Sequence, residues 1–319
     1  MSIMFSINYL IFSVFLTLFG LEIGIAVTML LEYDKYKDKM RSFLMPLWEV
    51  TGTFAIFYIV NLEAAVPSLL MLVGTVFVVP ALVAAIFFIL RNAFLSYGEY
   101  VGNTISEKRY LRVYAIATLV VAFVAISILD SGISGIGINA SAYSINILKM
   151  LVNPFNILMF IGIALLSIFV AAVFFDVKEY RWFTTLAVIL GIIAIAIATR
   201  SAMGYLFSAA FGPGLPYLVV LLLLLGAVLY LYHQKKRYTK YLAILWFMLS
   251  VNFFGFVQGP YILGGTVNVN NYLATGAMAF YVNLVTLIGG TILIISLAFA
   301  IYISYIKKMQ VQGNELNNY

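Results

Sequence analysis

Two carboxylic acids stand inside long apolar runs, where an ionisable side chain is expensive and is therefore a functional candidate by default. Glu22 is framed by Gly20-Leu21-Glu22-Ile23-Gly24, and Glu49 by Trp48-Glu49-Val50-Thr51-Gly52-Thr53. Carboxyls held in hydrocarbon can carry protons, because burial disfavours their charged form. Glu22 precedes the end of its run near Leu31 by about 14 Å at 1.5 Å rise per residue, and Glu49 follows the start of its run at Ser42 by about 11 Å. The two runs are neighbours joined by a short basic loop, so both acids are expected at similar depth. Two readings stay open. One is a proton half-channel through Glu22, Glu49, Thr51 and Thr53; the other is a structural pair satisfied by the Thr51 and Thr53 hydroxyls. Gly20 and Gly24 form a small-xxx-small pair that lets a second helix approach closely.

The elements that would position these acids are membrane-spanning helices. Of 319 residues, 64% are hydrophobic and 9% charged, against about 25% charged in an ordinary soluble domain. About 20 apolar residues cross the hydrocarbon as a helix. Nine such runs can be marked, at about 6–31, 42–64, 67–90, 111–129, 154–175, 182–199, 215–232, 239–262 and 276–306. The chain 1–319 reads as a single all-α polytopic membrane domain. No signal peptide is visible, since Met1 to Asn8 carries no basic residue.

Basic residues favour the cytoplasmic side. Alternate loops and the tail hold Lys35, Lys37, Lys39, Arg41; Arg91, Lys108, Arg109, Arg112; Lys178, Arg181; Lys235, Lys236, Arg237, Lys240; and Lys307, Lys308. Only Lys149 and Arg200 of the 18 basic residues fall on the other side. The expected topology is N-terminus outside and C-terminus cytoplasmic. The same distribution accounts for the net charge of +6 without nucleic acid as a partner. On that other side Ser131–Tyr143, Ser201–Pro216 and Leu263–Tyr272 are uncharged and rich in Gly, Ser and Asn, and Asn139-Ala140-Ser141 is a sequon on the outer side.

Other polar residues read as supporting groups. Arg91, Asp176 and Lys178 are expected at cytoplasmic helix ends, where long side chains snorkel. Glu63 and Asp130 are expected as anchors at the outer interface. Gln258, Asn252 and Asn283 suit interhelical hydrogen bonds. With no cysteine, thiolate metal sites and disulfides are excluded. The one histidine, His233, sits beside Lys235-Lys236-Arg237, a poor setting for a haem ligand, and paired imidazoles for two haems would need four. No phosphate-cradling glycine loop, zinc motif or nucleophile elbow is present.

In order along the chain, these motifs resemble subunit II of the cytochrome bd quinol oxidases. Gly20-Leu21-Glu22-Ile23-Gly24 is similar to that family's Gly-Phe-Asp-Leu-Gly, and Trp48-Glu49-Val50-Thr51-Gly52-Thr53-Phe54 stands where the family has Trp-Asp-Gly-Asn-x-Val-Trp. Ala64-Ala65-Val66-Pro67 looks like the family's Ala-Ala-x-Pro turn. Arg91 and Tyr97 match the end of the third helix, and Leu151-Val152-Asn153-Pro154-Phe155 matches the opening of the fifth. Both motif acids are Glu here instead of Asp. Phe19 and Ser96 replace acids, and Val50-Thr51 replaces Gly-Asn. The chain is thus expected to be a divergent member, of a kind an archaeon would supply.

The resemblance implies nine helices, arranged as two four-helix bundles plus one peripheral helix, in the cytoplasmic (plasma) membrane. It implies that this chain binds no haem and that no catalytic or metal-binding residue lies in it. Haems b and d and the quinol site would belong to subunit I, the partner in a pseudo-symmetric heterodimer that reduces oxygen to water. Small single-helix subunits and a structural quinone or lipid would complete the complex. Glu49 would match the acid of a cytoplasmic proton channel and Glu22 its neighbour. Gly20, Gly24, Trp48, Arg91 and Asn153 would serve structure or partner contact. Two other classes remain open on the residues alone. A proton-coupled secondary transporter would work without a partner and use broken helices, for which Gly74, Pro80 and Gly289-Gly290 are candidates. A quinone-binding anchor of another respiratory complex would differ only in its partner.

Overall fold

A computed structural model describes residues 3–101, 104–139, 144–177, 179–236 and 238–316. Nine helical segments among them are long and apolar enough to cross a membrane. The first two belong to one helical stretch, α1 (Ile3–Ala65), interrupted by non-helical backbone at Glu32. Its halves, Ser6–Lys37 and Phe43–Ala65, fold back on each other, because Asn61 Nδ2 donates to Asn8 Oδ1 at 2.6 Å near their far ends. The spans that follow are α2 (Pro67–Tyr100) and α3 (Thr104–Ser134). A two-residue hairpin, β1 (Ile138–Asn139) with β2 (Ser144–Ile145), and a short α4 (Ile147–Leu151) lead to α5 (Pro154–Phe174). After α6 (Arg181–Ala202) and a short α7 (Gly204–Phe211) come α8 (Leu215–His233) and α9 (Thr239–Gln258). A second hairpin, β3 (Tyr261–Ile262) with β4 (Val267–Asn268), precedes α10 (Gly276–Leu316).

The first span is the centre of the assembly. Leu21 to Ala26 are buried without interruption, as required of a helix surrounded by others. It packs on α3, α5 and α9. Close approach to α5 depends on Gly24. A methyl there would lie 2.4 Å from the Ser167 carbonyl oxygen and 2.5 Å from Ala171 Cβ. Gly20 faces the same way, toward the Phe247 ring and the Ser167 hydroxyl. α10 lies at the periphery. Most of its described side chains are exposed, and Thr286 fixes it by donating to Asn61 Oδ1.

Helix ends follow local chemistry. Pro67 and Pro154 open α2 and α5, where a missing N–H costs nothing. Asn153 caps α5, its Oδ1 accepting from Phe155 N at 2.8 Å. Pro80 and Gly74 lie inside an unbroken α2, and Gly289-Gly290 inside α10, so none of these candidates breaks a helix. α2 runs to Tyr100 and α3 to Ser134, beyond the expected 90 and 129. The sequon's Ala140 and Ser141, with Lys178 and Arg237, lie outside the described residues.

Candidate functional site

Glu22 is fully buried, and so is its partner, Arg91 of α2. Arg91 Nη1 donates to Glu22 Oε2. This corrects the expectation that Arg91 snorkels at a helix end. α2 continues nine residues past it to Tyr100, about 14 Å at 1.5 Å per residue, the same distance that separates Glu22 from Leu31. The cation thus lies at the depth of the acid. Rings of Phe88 and Phe19 lie 4.6 and 5.8 Å from the guanidinium carbon, within the range of cation–π attraction.

Arg91 is also the middle of a chain of hydrogen bonds. Its Nε donates to Asn92 Oδ1 at 3.1 Å, and Trp48 Nε1 donates to the same oxygen at 2.7 Å. Trp48 of the second span, Asn92 and Arg91 of α2, and Glu22 of the first span are therefore tied in one network. Tyr114 of α3 lies within electrostatic reach of both charges. Two atoms of the pair, Glu22 Oε1 and Arg91 Nη2, are buried without a protein partner. Such groups are normally satisfied by ordered water.

Glu49 is placed differently. It is exposed on the outer face of the second span, with Thr53 beside it, whereas Thr51 is buried. Neither hydroxyl bonds a carboxylate side chain: Thr51 donates to Leu47 O and Thr53 to Glu49 O, each at 2.8 Å. The structure does not bring Glu22 and Glu49 together as a mutually satisfied pair. It gives Glu22 a cation and leaves the Glu49 carboxyl on the surface of the chain.

Asp130 is the second revision. Expected as an interface anchor, it is 3% exposed and lines an apolar cavity of about 570 Å³ between the spans. Glu63 is exposed. Asn252 Nδ2 donates to Ser13 Oγ at 2.7 Å across α9 and the first span, and Gln258 Nε2 donates to Tyr261 O.

At the opposite end from the hairpins, polar contacts close the seam between the bend of α1, the start of α3 and the loop before α6. Tyr180 donates to Glu32 Oε1 at 3.0 Å and Tyr36 to Glu179 Oε2 at 3.1 Å. Lys35 pairs with Glu179, Lys108 with Asp34, and Tyr33 donates to Glu107 Oε1. The hydrogen bond to Glu32 raises the Tyr180 phenol above its ordinary value.

A haem would need axial ligands. His233 Nε2 lies 3.2 Å from the Thr185 hydroxyl, and its ring sits 4.7 Å from that of Trp182. Among the described residues, no group of three or more His, Cys, Asp or Glu could hold a metal ion. The one imidazole of the chain is thus engaged by Thr185 and Trp182.

The fold and the site together define a multi-span membrane protein, with nine candidate spans among the described residues, built around a buried ion pair, with a second acid on its outer face. Across residues 1–304 the sequence matches the family described as cytochrome bd terminal oxidase subunit II, and the chain belongs to that family. It is accordingly a subunit of a membrane quinol oxidase, an oxidoreductase. Among solved structures it is similar to the bd oxidase from Geobacillus thermodenitrificans, with a TM-score of 0.75 and 18% identity over 94% of this chain and 97% of that one. No curated protein sequence matches it.

Proposed function

We propose that this chain is the haem-free half of a bd-type quinol:oxygen oxidoreductase. It gives the complex its scaffold and a path by which cytoplasmic protons reach a haem-bearing subunit I. Haems b and d and the quinol site belong to that partner, with which it forms a pseudo-symmetric heterodimer joined by small single-helix subunits. The complex lies in the plasma membrane with the N-terminus of this chain outside and its C-terminus in the cytoplasm. The observation that carries this reading is the exposure of Glu49. A carboxyl on the outer face of a spanning helix is untenable against acyl chains and is accounted for by a hydrated seam with a second subunit.

The two acids then have different roles. Arg91 fixes Glu22 as part of the frame that sets the second span against α2. Glu49, one helix away and joined to that frame through neighbouring Trp48, exchanges protons, with Thr53 beside it on the same face. The cavity of about 570 Å³ has the apolar lining and size that a structural quinone or lipid tail would fill. The supporting experiment is Glu49→Gln in the intact complex. Oxygen consumption should fall severalfold while the reduced-minus-oxidised haem spectrum keeps its shape. Turnover at the wild-type rate would remove Glu49 from the path.

A further inference from the structure

Beside the cavity, where Asp130 meets it, the end of α3 carries a group of oxygen atoms that the proton path does not use. Asp130 Oδ2, Ser127 Oγ and Asn156 Oδ1 are each buried without a hydrogen-bond partner. Their residues are 3%, 0% and 0% exposed. Ser127, Asp130 and Ser131 stand at i, i+3 and i+4 on α3, the spacing of adjacent side chains on one helix face. Asn156 of α5 reaches that face, its Nδ2 donating to Ser131 Oγ at 3.2 Å and to Met150 O at 2.6 Å. Those two bonds fix the amide, so its oxygen is the atom left over. Above the group, Leu263 N and Gly264 N donate to the carbonyls of Gly132 and Ile133 at 2.7 and 2.8 Å, closing the end of α3 beneath the second hairpin.

All three unpartnered atoms can accept. The Ser127 hydroxyl also donates, but the ionised Asp130 carboxylate and the Asn156 oxygen only accept, and they lack a donor or a positive charge. Leaving them bare in a medium without water would cost free energy at each, and among the described residues no ion pair forms on Asp130. Ser127, Asp130 and Ser131 lie in the last two turns of α3, whose dipole favours a cation, and Asn156 in the first turn of α5, whose dipole does not, so the charge balance rests on the Asp130 carboxylate. Carboxylate, amide and hydroxyl oxygens are hard ligands, suited to hard cations and not to haem or zinc. A single carboxylate balances a single positive charge, and a divalent ion would leave a net charge in the hydrocarbon.

We infer that Asp130, Asn156, Ser127 and Ser131 form a binding site for one monovalent alkali cation, which ties α3 to α5 beneath the outer loop. The inference does not rest on the proton path, and its test does not read oxygen consumption. The purified oxidase complex is dialysed into choline chloride and its thermal midpoint followed as sodium or potassium replaces choline at constant ionic strength. A site that binds the folded state gives a saturable rise of a few degrees. Asp130→Asn should abolish that rise. As a check that needs no variant, wild-type crystals soaked in thallium(I) should show an anomalous peak beside Asp130. Midpoints equal in choline, sodium and potassium, an Asp130→Asn complex that responds like wild type, or thallium-soaked crystals with no peak beside Asp130 would each overturn it. A water or a lipid headgroup in that place, without an alkali response, would do the same.

Discussion

Arg91 Nη1 donates to Glu22 Oε2 although the two residues are 69 positions apart and neither is exposed to solvent. The pair joins the first span to the third in the interior of the bundle. Removing one member leaves an uncompensated charge among apolar side chains, which typically costs about 3–5 kcal/mol. Removing both with apolar residues of similar volume is far less costly. Arg91→Met and Glu22→Leu should each lower the thermal stability of the purified complex strongly, and the double variant should recover much of the loss. A double-mutant cycle by thermal unfolding checks this; strictly additive losses would mean that the two do not interact.

Trp48 and Arg91 share one acceptor, the Asn92 amide oxygen. Trp48→Phe keeps an aromatic ring, though a smaller one, and removes the donor. The expected loss is about 0.5–1.5 kcal/mol, the net worth of one hydrogen bond. Asn92→Leu removes the acceptor from both donors and should cost more than Trp48→Phe. Unfolding midpoints of the two variants, measured side by side, decide the order.

Gly24 lies against the α5 backbone, whereas Gly52 has nothing within 4 Å of where its Cβ would stand. Gly24→Ala must push α5 away and should destabilise by about 1–3 kcal/mol, the usual cost of overpacking. Gly52→Ala should be neutral or slightly stabilising, since alanine is the better helix former. Equal behaviour of the two variants would contradict the packing described.

The last span is tied to the rest by the series Thr286, Asn61, Asn8. Interhelical hydrogen bonds in membranes average about 0.6 kcal/mol, with model peptides giving about 1–2. Asn61→Leu breaks both links at once and should loosen α10 without unfolding the central helices. Limited proteolysis of the purified complex should then cut the segment between β4 and α10 faster than in wild type, with the thermal midpoint shifted little.

The spans were legible in the sequence because hydropathy alone sets them, and Glu22 stood out because an acid amid apolar residues is rare. Its partner was not legible. An arginine ends an apolar window, so Arg91 looked like a helix terminus, while the helix in fact runs on through Asn92, Ser96 and Tyr97 to Tyr100. The depth of Arg91 follows only once α2 is seen to continue nine residues past it. Asp130 departs from what the sequence implies for a related reason. It lies near a helix end along the chain, but the second hairpin folds over that end and buries it. Asn92 gave no signal in the sequence, since its role depends on two donors from different helices. Glu49 was legible as an acid within a span, but its exposure depends on which face of the second span the bundle leaves uncovered, and the pattern of residues around it does not fix that.

What accompanies this chain in the membrane decides its role most directly. The chain is tagged, extracted in mild detergent and purified, and the preparation is analysed for its subunits and by a reduced-minus-oxidised spectrum. The expected result is a second, larger multi-span subunit rich in histidine, haem b and haem d signals that follow that subunit, and quinol-dependent oxygen consumption. A homogeneous preparation of this chain alone, or haem that stays with it after the partner is removed, would contradict the assignment of roles.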